Sequence, residues 1–152
     1  MAASVPKIDA FDKRIIEALQ ADGRRPYTRL ARELGISEAA VRARVRKLTE
    51  ARVIDVVAVT NPLMLGFDTM AIIGVQTDSS LQAIADEVAG WDEVSYLVIS
   101  AGSFDLLVEV VCTDKRHLLE LIGRLRDVEG VRSTETFMYL ELHKQTFQWG
   151  TR

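Results

Sequence analysis

The chain has one cysteine, Cys112, two histidines, His117 and His143, and only three prolines among its 152 residues. A lone cysteine closes no intramolecular disulfide, and no ligand cluster surrounds it that would suggest zinc. Cys112 lies in an apolar stretch and is expected to be a small core residue of a strand. With two histidines, no Ser-His-Asp order and no glycine-rich phosphate loop, general acid–base or nucleophilic chemistry has few candidates. Apolar runs stay far below the roughly 18 residues that a membrane span needs. Met1–Ala10 also lacks the basic start and apolar stretch of a secretory signal. A cytoplasmic location is expected, with no membrane partner, metal or cofactor.

Charge of one sign is scarce where the other is plentiful. Residues 1–60 hold twelve Lys+Arg against eight Asp+Glu, residues 61–152 hold seven against fourteen, and the whole chain has a net charge of −3. Between Arg24 and Arg52 nine basic residues face three acidic ones. A basic segment joined to an acidic body points to a polyanionic partner for one end only, although a solvated basic helix face has the same composition.

The basic part has helical periodicity. Phe11, Ile15, Ala18 and Leu19 form one stripe from about Asp9 or Ala10, and Asp22-Gly23 ends it. A short second helix runs from Pro26 or Tyr27 to Leu34, burying Leu30 and Leu34. Gly35-Ile36-Ser37 follows, in which Gly35 suits a left-handed helix end and Ser37 an N-cap. The third helix spans about Glu38–Ala51 and turns Val41, Val45 and Leu48 towards the first two. Its other faces carry Arg42, Arg44, Arg46 and Lys47. Val53–Thr60 is β-branched and extended, and Asn61-Pro62 and Gly66 mark a linker.

From Thr69 the signals run strand, helix, strand, strand, helix, strand. The strands fit Thr69–Thr77, Val94–Ala101, Asp105–Cys112 and Val131–His143; the helices fit Leu81–Ala89 and Asp114–Arg126. This is the βαββαβ, ferredoxin-like order. The expected fold is α+β, with a helix-turn-helix domain over 1–52, an extended linker over 53–68 and a ferredoxin-like domain over 69–152. Leu106, Val108, Val110 and Cys112 alternate with Leu107 and Val111, so both sheet faces are apolar and a second copy is expected to bury one of them.

Three short helices with a glycine turn before a cationic third helix can lay that helix in a major groove. Arginine forms a planar fork for a guanine edge or a phosphate, and a helix N-terminus with a free hydroxyl suits phosphate. Ser37 is thus expected to cap and to contact phosphate. Ala39, Ala40, Ala43 and Arg44 stand at the groove-facing start of the helix, small alanines allowing close approach. Arg42, Arg44, Arg46 and Lys47 are expected to contact double-stranded DNA, with Arg24 and Arg25 as backbone contacts. The plainer alternative is that Ser37 only caps and the arginines only solubilise.

The motifs Ile8-Asp9-Ala10-Phe11-Asp12, Asp22-Gly23-Arg24, Leu30-Ala31-Arg32-Glu33-Leu34-Gly35-Ile36-Ser37, Arg44-Val45-Arg46-Lys47-Leu48, Leu65-Gly66-Phe67, Gly102-Ser103-Phe104-Asp105 and Gly130-Val131 occur in this order over nearly the whole chain. In that order and spacing the chain resembles the Lrp/AsnC, or feast/famine, transcriptional regulators. The resemblance implies a helix-turn-helix that reads DNA and a ferredoxin-like effector domain that dimerises through its sheet. It also implies further assembly to octamers, with amino-acid effectors bound between dimers. Two positions depart from the family pattern. Arg52 stands where a glycine usually follows the third helix, so that helix is expected to end without a left-handed cap, and Pro26 replaces a polar cap.

Gly102, Ser103, Phe104 and Asp105 match the family's glycine–aspartate signature. An amino acid needs donors for its carboxylate and an acceptor for its ammonium; Gly102 lets backbone N–H groups approach, and Asp105 is a suitable acceptor. A tight hairpin with Gly102 at positive φ and Asp105 bonding the turn explains the same residues. Thr134 and Thr136 share a face of the last strand and offer hydroxyls from a neighbouring subunit, though strand propensity also accounts for them. His117 and Glu120 read as surface residues, and Phe147 and Trp149 suggest a tail packed on a partner subunit. Two other functions stay open: a tetrapyrrole-pathway decarboxylase-like enzyme, and an architectural DNA-wrapping protein without effector.

Overall fold

The computed structural model describes residues 7–78 and 80–152. They form two compact units: one runs to Val59 and includes Lys144–Arg152, and the other is Thr60–His143.

In the first unit, α1 (Ala10–Ala21) starts on a reciprocal cap. Asp9 Oδ1 accepts the Phe11 and Asp12 N–H groups at 2.9 Å, and Asp12 Oδ2 accepts the Asp9 N–H at 3.2 Å. Donors that helix geometry leaves without partners are thereby satisfied. α2 (Tyr27–Leu34) begins at Pro26 with no side-chain cap, as that proline predicts, and ends on Gly35 at φ 68°. The Ile36 N–H then turns back to the Ala31 carbonyl at 3.1 Å. α3 (Glu38–Glu50) opens on Ser37, whose Oγ accepts the Ala40 N–H at 3.1 Å. Ile15, Leu30 and Val41 are fully buried where the three helices meet, joined by Ile16, Leu19, Leu34, Val45 and Leu48. Each large side chain removed from water there contributes about 1.5–3 kcal/mol.

One expectation at the end of α3 is corrected. Arg52 takes the left-handed conformation itself, at φ 53°. Its N–H reaches the Thr49 carbonyl and the Val53 N–H the Leu48 carbonyl, both at 2.9 Å. These are the two bonds of a Schellman end, and they place Val53 against the helical core. They outweigh a conformational cost of about 1–2 kcal/mol for a side chain with a Cβ.

In the second unit a 3-10 turn at Pro62–Met64 leads into β1 (Thr69–Thr77), α4 (Leu81–Ala89), β2 (Val94–Ile99), β3 (Leu106–Cys112), α5 (Lys115–Arg126) and β4 (Val131–Met138). The sheet order is β2-β3-β1-β4, and every pairing is antiparallel. Side chains alternate faces along a strand. Ala71, Ile73, Val75, Leu106, Val108, Val110 and Cys112 therefore share one face, which packs on Ile84, Ala85, Val88, Leu118, Leu121 and Leu125 from α4 and α5. Leu107 and Val111 are half-buried on the opposite face, where Tyr96 and Phe137 are exposed.

Three sequence boundaries shift. β4 stops at Met138, because after the Tyr139 N–H bonds the Met70 carbonyl at 2.8 Å the chain has no further strand partner among the described residues. β2 and β3 are shorter at their shared turn, where the Ser100 N–H meets the Asp105 carbonyl at 2.9 Å. By its contacts Lys144–Arg152 groups with the helical unit.

Candidate nucleic-acid interface and effector loop

Helix α3 buries Val41, Val45 and Leu48, and this fixes which residues point outward. Ala39, Arg42, Ala43, Arg46 and Lys47 are all exposed, spaced at i, i+3, i+4, i+7 and i+8 on one stripe. A shallow depression lies along it, lined by Glu38, Ala39, Arg42, Ala43 and Arg46. The two alanines form its low floor and the two arginines its rim.

The cations differ in how firmly they are held. Arg46 lies 3.9 Å from Glu50 and is 75% exposed, so its guanidinium is available. Lys47 makes no ion pair among the described residues. Arg42 donates to Glu38 Oε1 at 2.7 Å, and its guanidinium lies 5.3 Å from the Tyr27 ring centre. Carboxylate and ring together orient that fork, leaving other N–H donors open to a ligand. Glu38 and Tyr27 were not singled out from sequence. The i,i+4 spacing of Glu38 and Arg42 was a legible signal; the approach of Tyr27 needed the fold.

Arg44 is held differently from the other cations of α3. Its Nη1 reaches Asp9 Oδ2 and Asp12 Oδ1 at 2.7 Å each, and its guanidinium stacks 5.2 Å from the Phe11 ring centre. Asp12 is only 2% exposed, so Arg44 compensates a buried carboxylate and braces α3 against the start of α1. The hydrogen bonds it donates to Asp12 and Asp9 raise its pKa further. The Asp12 N–H and the Arg44 side chain hold the Asp9 carboxyl below the usual carboxylate range. Arg25 is likewise engaged, donating to Glu33 Oε1 at 2.7 Å, and Arg29 reaches the same carboxylate at 3.0 Å. Arg25 and then Arg29 lower the pKa of Glu33. Arg24 is exposed, with its backbone N–H on Asp22 Oδ1 at 3.0 Å. Ser37 is exposed while its hydroxyl caps α3, and Ala40 is half-buried beside the stripe.

The loop joining β2 to β3 is built around a close approach at Gly74. A Cβ on that residue would fall 2.6 Å from the Phe104 ring, so the ring lies flat on a position open only to glycine. Phe104 meets Phe137 edge-on, with centroids 6.2 Å apart. The Asp105 carboxylate accepts the Thr77 N–H at 2.7 Å and is 3.3 Å from the Thr77 hydroxyl, while the Asp105 N–H donates to the Val75 carbonyl at 2.9 Å. The Ser103 carbonyl takes the Gln76 amide at 2.7 Å, and the Ser100 hydroxyl donates to the Phe104 carbonyl at 2.6 Å.

The loop does join an antiparallel β2–β3 hairpin, but Gly102 is exposed and does not adopt positive φ, which corrects that part of the reading; a Cβ there would meet nothing within 4 Å. Thr134 and Thr136 are not brought to this loop. They pair with Val75 and Ile73, on the helix-covered face, whereas Phe104 and Phe137 occupy the other. Thr134 Oγ1 instead accepts from Arg126 Nε at 2.9 Å. His117, expected at the surface, is 3.2 Å from Glu93, which also receives Arg124 at 2.7 Å; Arg124 covers the Trp91 ring at 3.9 Å. Burial pushes the Glu93 carboxyl up, but hydrogen bonds led by Arg124 outweigh it and leave its pKa low.

Two family models match this chain, an AsnC-type helix-turn-helix domain over residues 8–49 and an Lrp/AsnC ligand binding domain over residues 70–149. The chain belongs to the Lrp/AsnC family. It is 36% identical to an uncharacterized HTH-type transcriptional regulator of Pyrococcus furiosus, over 94% of this chain and 96% of that one. Among solved structures, AsnC of E. coli superposes with a TM-score of 0.79 at 27% identity, covering 92% of this chain and 97% of that one. The Neisseria meningitidis transcriptional regulator solved as an L-Met complex shares the fold, with a TM-score of 0.80 at 22% identity and coverage of 93% and 96%. This Lrp/AsnC chain is therefore a transcriptional regulator with a DNA-binding helix-turn-helix and a ligand-binding domain, and not an enzyme. The decarboxylase alternative is set aside on that ground. No described helix is long and apolar enough to cross a membrane, and no three His, Cys, Asp or Glu residues cluster as metal ligands among the described residues.

Proposed function

We propose that this regulator acts in the cytoplasm and reads a specific operator through the outer stripe of α3, with an amino acid or related small metabolite as its effector. The stripe itself carries the reading: Ala39 and Ala43 leave room for base edges while Arg42, Arg46 and Lys47 supply cationic donors. Arg42 and Arg46 are the base or phosphate forks, Lys47 a phosphate contact, and Ser37 with the α3 N-terminus a second phosphate contact. Arg24 is a flanking backbone contact. Arg44 and Arg25 are reassigned as braces, because protein carboxylates already hold them.

A palindromic operator is served by two copies, with reading helices about 34 Å apart. The half-buried sheet face bearing Leu107 and Val111 is the surface by which the copies join, and assembly to octamers follows the family habit. An amino-acid effector agrees with the ligand-binding family model and with the L-Met bound by the Neisseria protein. Around the effector, Gly102 offers exposed backbone, Ser103 its exposed side chain and Phe104 an apolar wall, and Asp105 shapes the loop. Effector binding then changes DNA affinity by linkage.

The test is operator titration at several salt concentrations with and without amino acids. The double variant Arg42→Ala/Arg46→Ala is expected to lose about 30-fold to 10⁴-fold in affinity, at roughly 1–3 kcal/mol per fork. Its salt slope should be shallower by up to about two if both forks contact phosphate. Wild-type affinity and slope in that variant would refute the assignment of α3. Affinity indifferent to every amino acid would leave an architectural DNA binder.

A further inference from the structure

The chain leaves the helix-turn-helix unit after Val59 and returns to it at Lys144. The surface that receives the returning segment is the side of α1 that bears Lys13, Glu17 and Gln20 at i, i+4 and i+7, next to the buried Ile16. An open concavity of about 420 Å³ lies there, with Ile8, Ile16 and Val53 on its helical side and Trp149 to Arg152 on the other. The Gly150 N–H donates to Gln20 Oε1 at 3.1 Å, and the Thr151 hydroxyl donates to Glu17 Oε1 at 2.5 Å. Gly150 sits at φ 69°, in the region that favours glycine, and a Cβ there would meet nothing within 4 Å. Conformation rather than space is what the turn requires of it.

We propose that this side of α1 is a docking surface whose occupant is the chain's own C-terminal segment, Trp149–Arg152. The DNA-binding unit is then completed by residues that follow the sheet domain in sequence. Two covalent connections join the units, one at Val59–Thr60 and one at His143–Lys144. None of the docking residues belongs to the α3 stripe, so the segment and DNA do not compete for the same side chains. The tail aromatics, expected from sequence to face a partner subunit, belong in part to this contact: Trp149 lines it while remaining 76% exposed.

Amide hydrogen exchange on the full chain tests this without DNA or effector, so its outcome is independent of the operator reading. Two variants are measured beside wild type: a chain ending at His143, and the full chain carrying Gly150→Val, which keeps every docking side chain but strains the turn. Exchange within α1 is expected to quicken about tenfold on truncation and in the same direction, by less, in Gly150→Val, with α4 and α5 unchanged. Should α1 exchange stay within about twofold of wild type in both variants, the docking surface is refuted.

Discussion

Helix α3 and the loop from Ser100 to Asp105 both present polar groups in places where a regulator needs ligand contacts, yet they use those groups in opposite ways. On α3 the outer cations have weak or partial partners: Arg46 and Lys47 stand in solvent, and Arg42 is oriented but not buried. In the loop, Asp105, Ser100 and the Ser103 carbonyl already bond the protein's own strands and turn. The reading helix is thus a rigid platform with unsatisfied chemistry. The loop is a largely satisfied frame, and it offers the apolar Phe104, the exposed Ser103 side chain and the backbone near Gly102. A charged partner with many repeats suits the first, and a small molecule that needs shape suits the second.

Four experiments test that contrast. Arg44→Ala is expected to have the largest effect on folding, about 2–3 kcal/mol lost from the helical unit in a denaturant melt. This is less than the 3–5 kcal/mol of orphaning a fully buried charge, because Arg44 is itself 30% exposed. Its salt slope for DNA should stay near wild type, which separates a brace from a reader. An unchanged melt would return Arg44 to the reading face.

Gly74→Ala comes next. A methyl group 2.6 Å from the Phe104 ring must displace it, costing about 1–3 kcal/mol in the sheet unit. Calorimetry should show most of that loss recovered in Gly74→Ala/Phe104→Ala, where the ring is gone. Arg52→Gly is expected to stabilise the helical unit by about 1 kcal/mol, since it relieves the left-handed arginine while keeping both backbone bonds. A destabilised variant would mean that the arginine side chain makes a contact that outweighs the backbone cost.

The smallest effect divides the two units by pH. The lowered pKa values of Asp9 and Glu33 make their stabilisation complete above the usual carboxylate range and progressively lost as pH falls through it. The Tyr139 hydroxyl has the opposite sign. Burial and its hydrogen bond to Glu109 push its pKa up to about 12, so its contribution is complete below the ordinary tyrosine value and fades as pH rises towards 12. Glu93 adds an acid-side term to the sheet unit. Domain-resolved melts should therefore show a tyrosine-dependent alkaline loss in the sheet unit alone, abolished in Tyr139→Phe.

Much of this was readable from the chain before any fold existed. The 3.6-residue stripe through Val41, Val45 and Leu48 placed Arg42, Arg46 and Lys47 outside, because burying one side of a helix fixes the other. Period-two alternation in Leu106–Cys112 likewise gave a strand with one core face, and the order of elements gave the sheet. What sequence could not decide was which polar groups find partners across long separations. Arg44 meets Asp9 and Asp12 from 35 and 32 positions away, Asp105 meets Thr77 from 28, and Gly150 meets Gln20 from 130. Local periodicity reports which way a side chain points, a property of a few neighbouring residues. Whether its charge is free or neutralised depends on what the folded chain carries to within about 3 Å of it, and only the tertiary structure settles that.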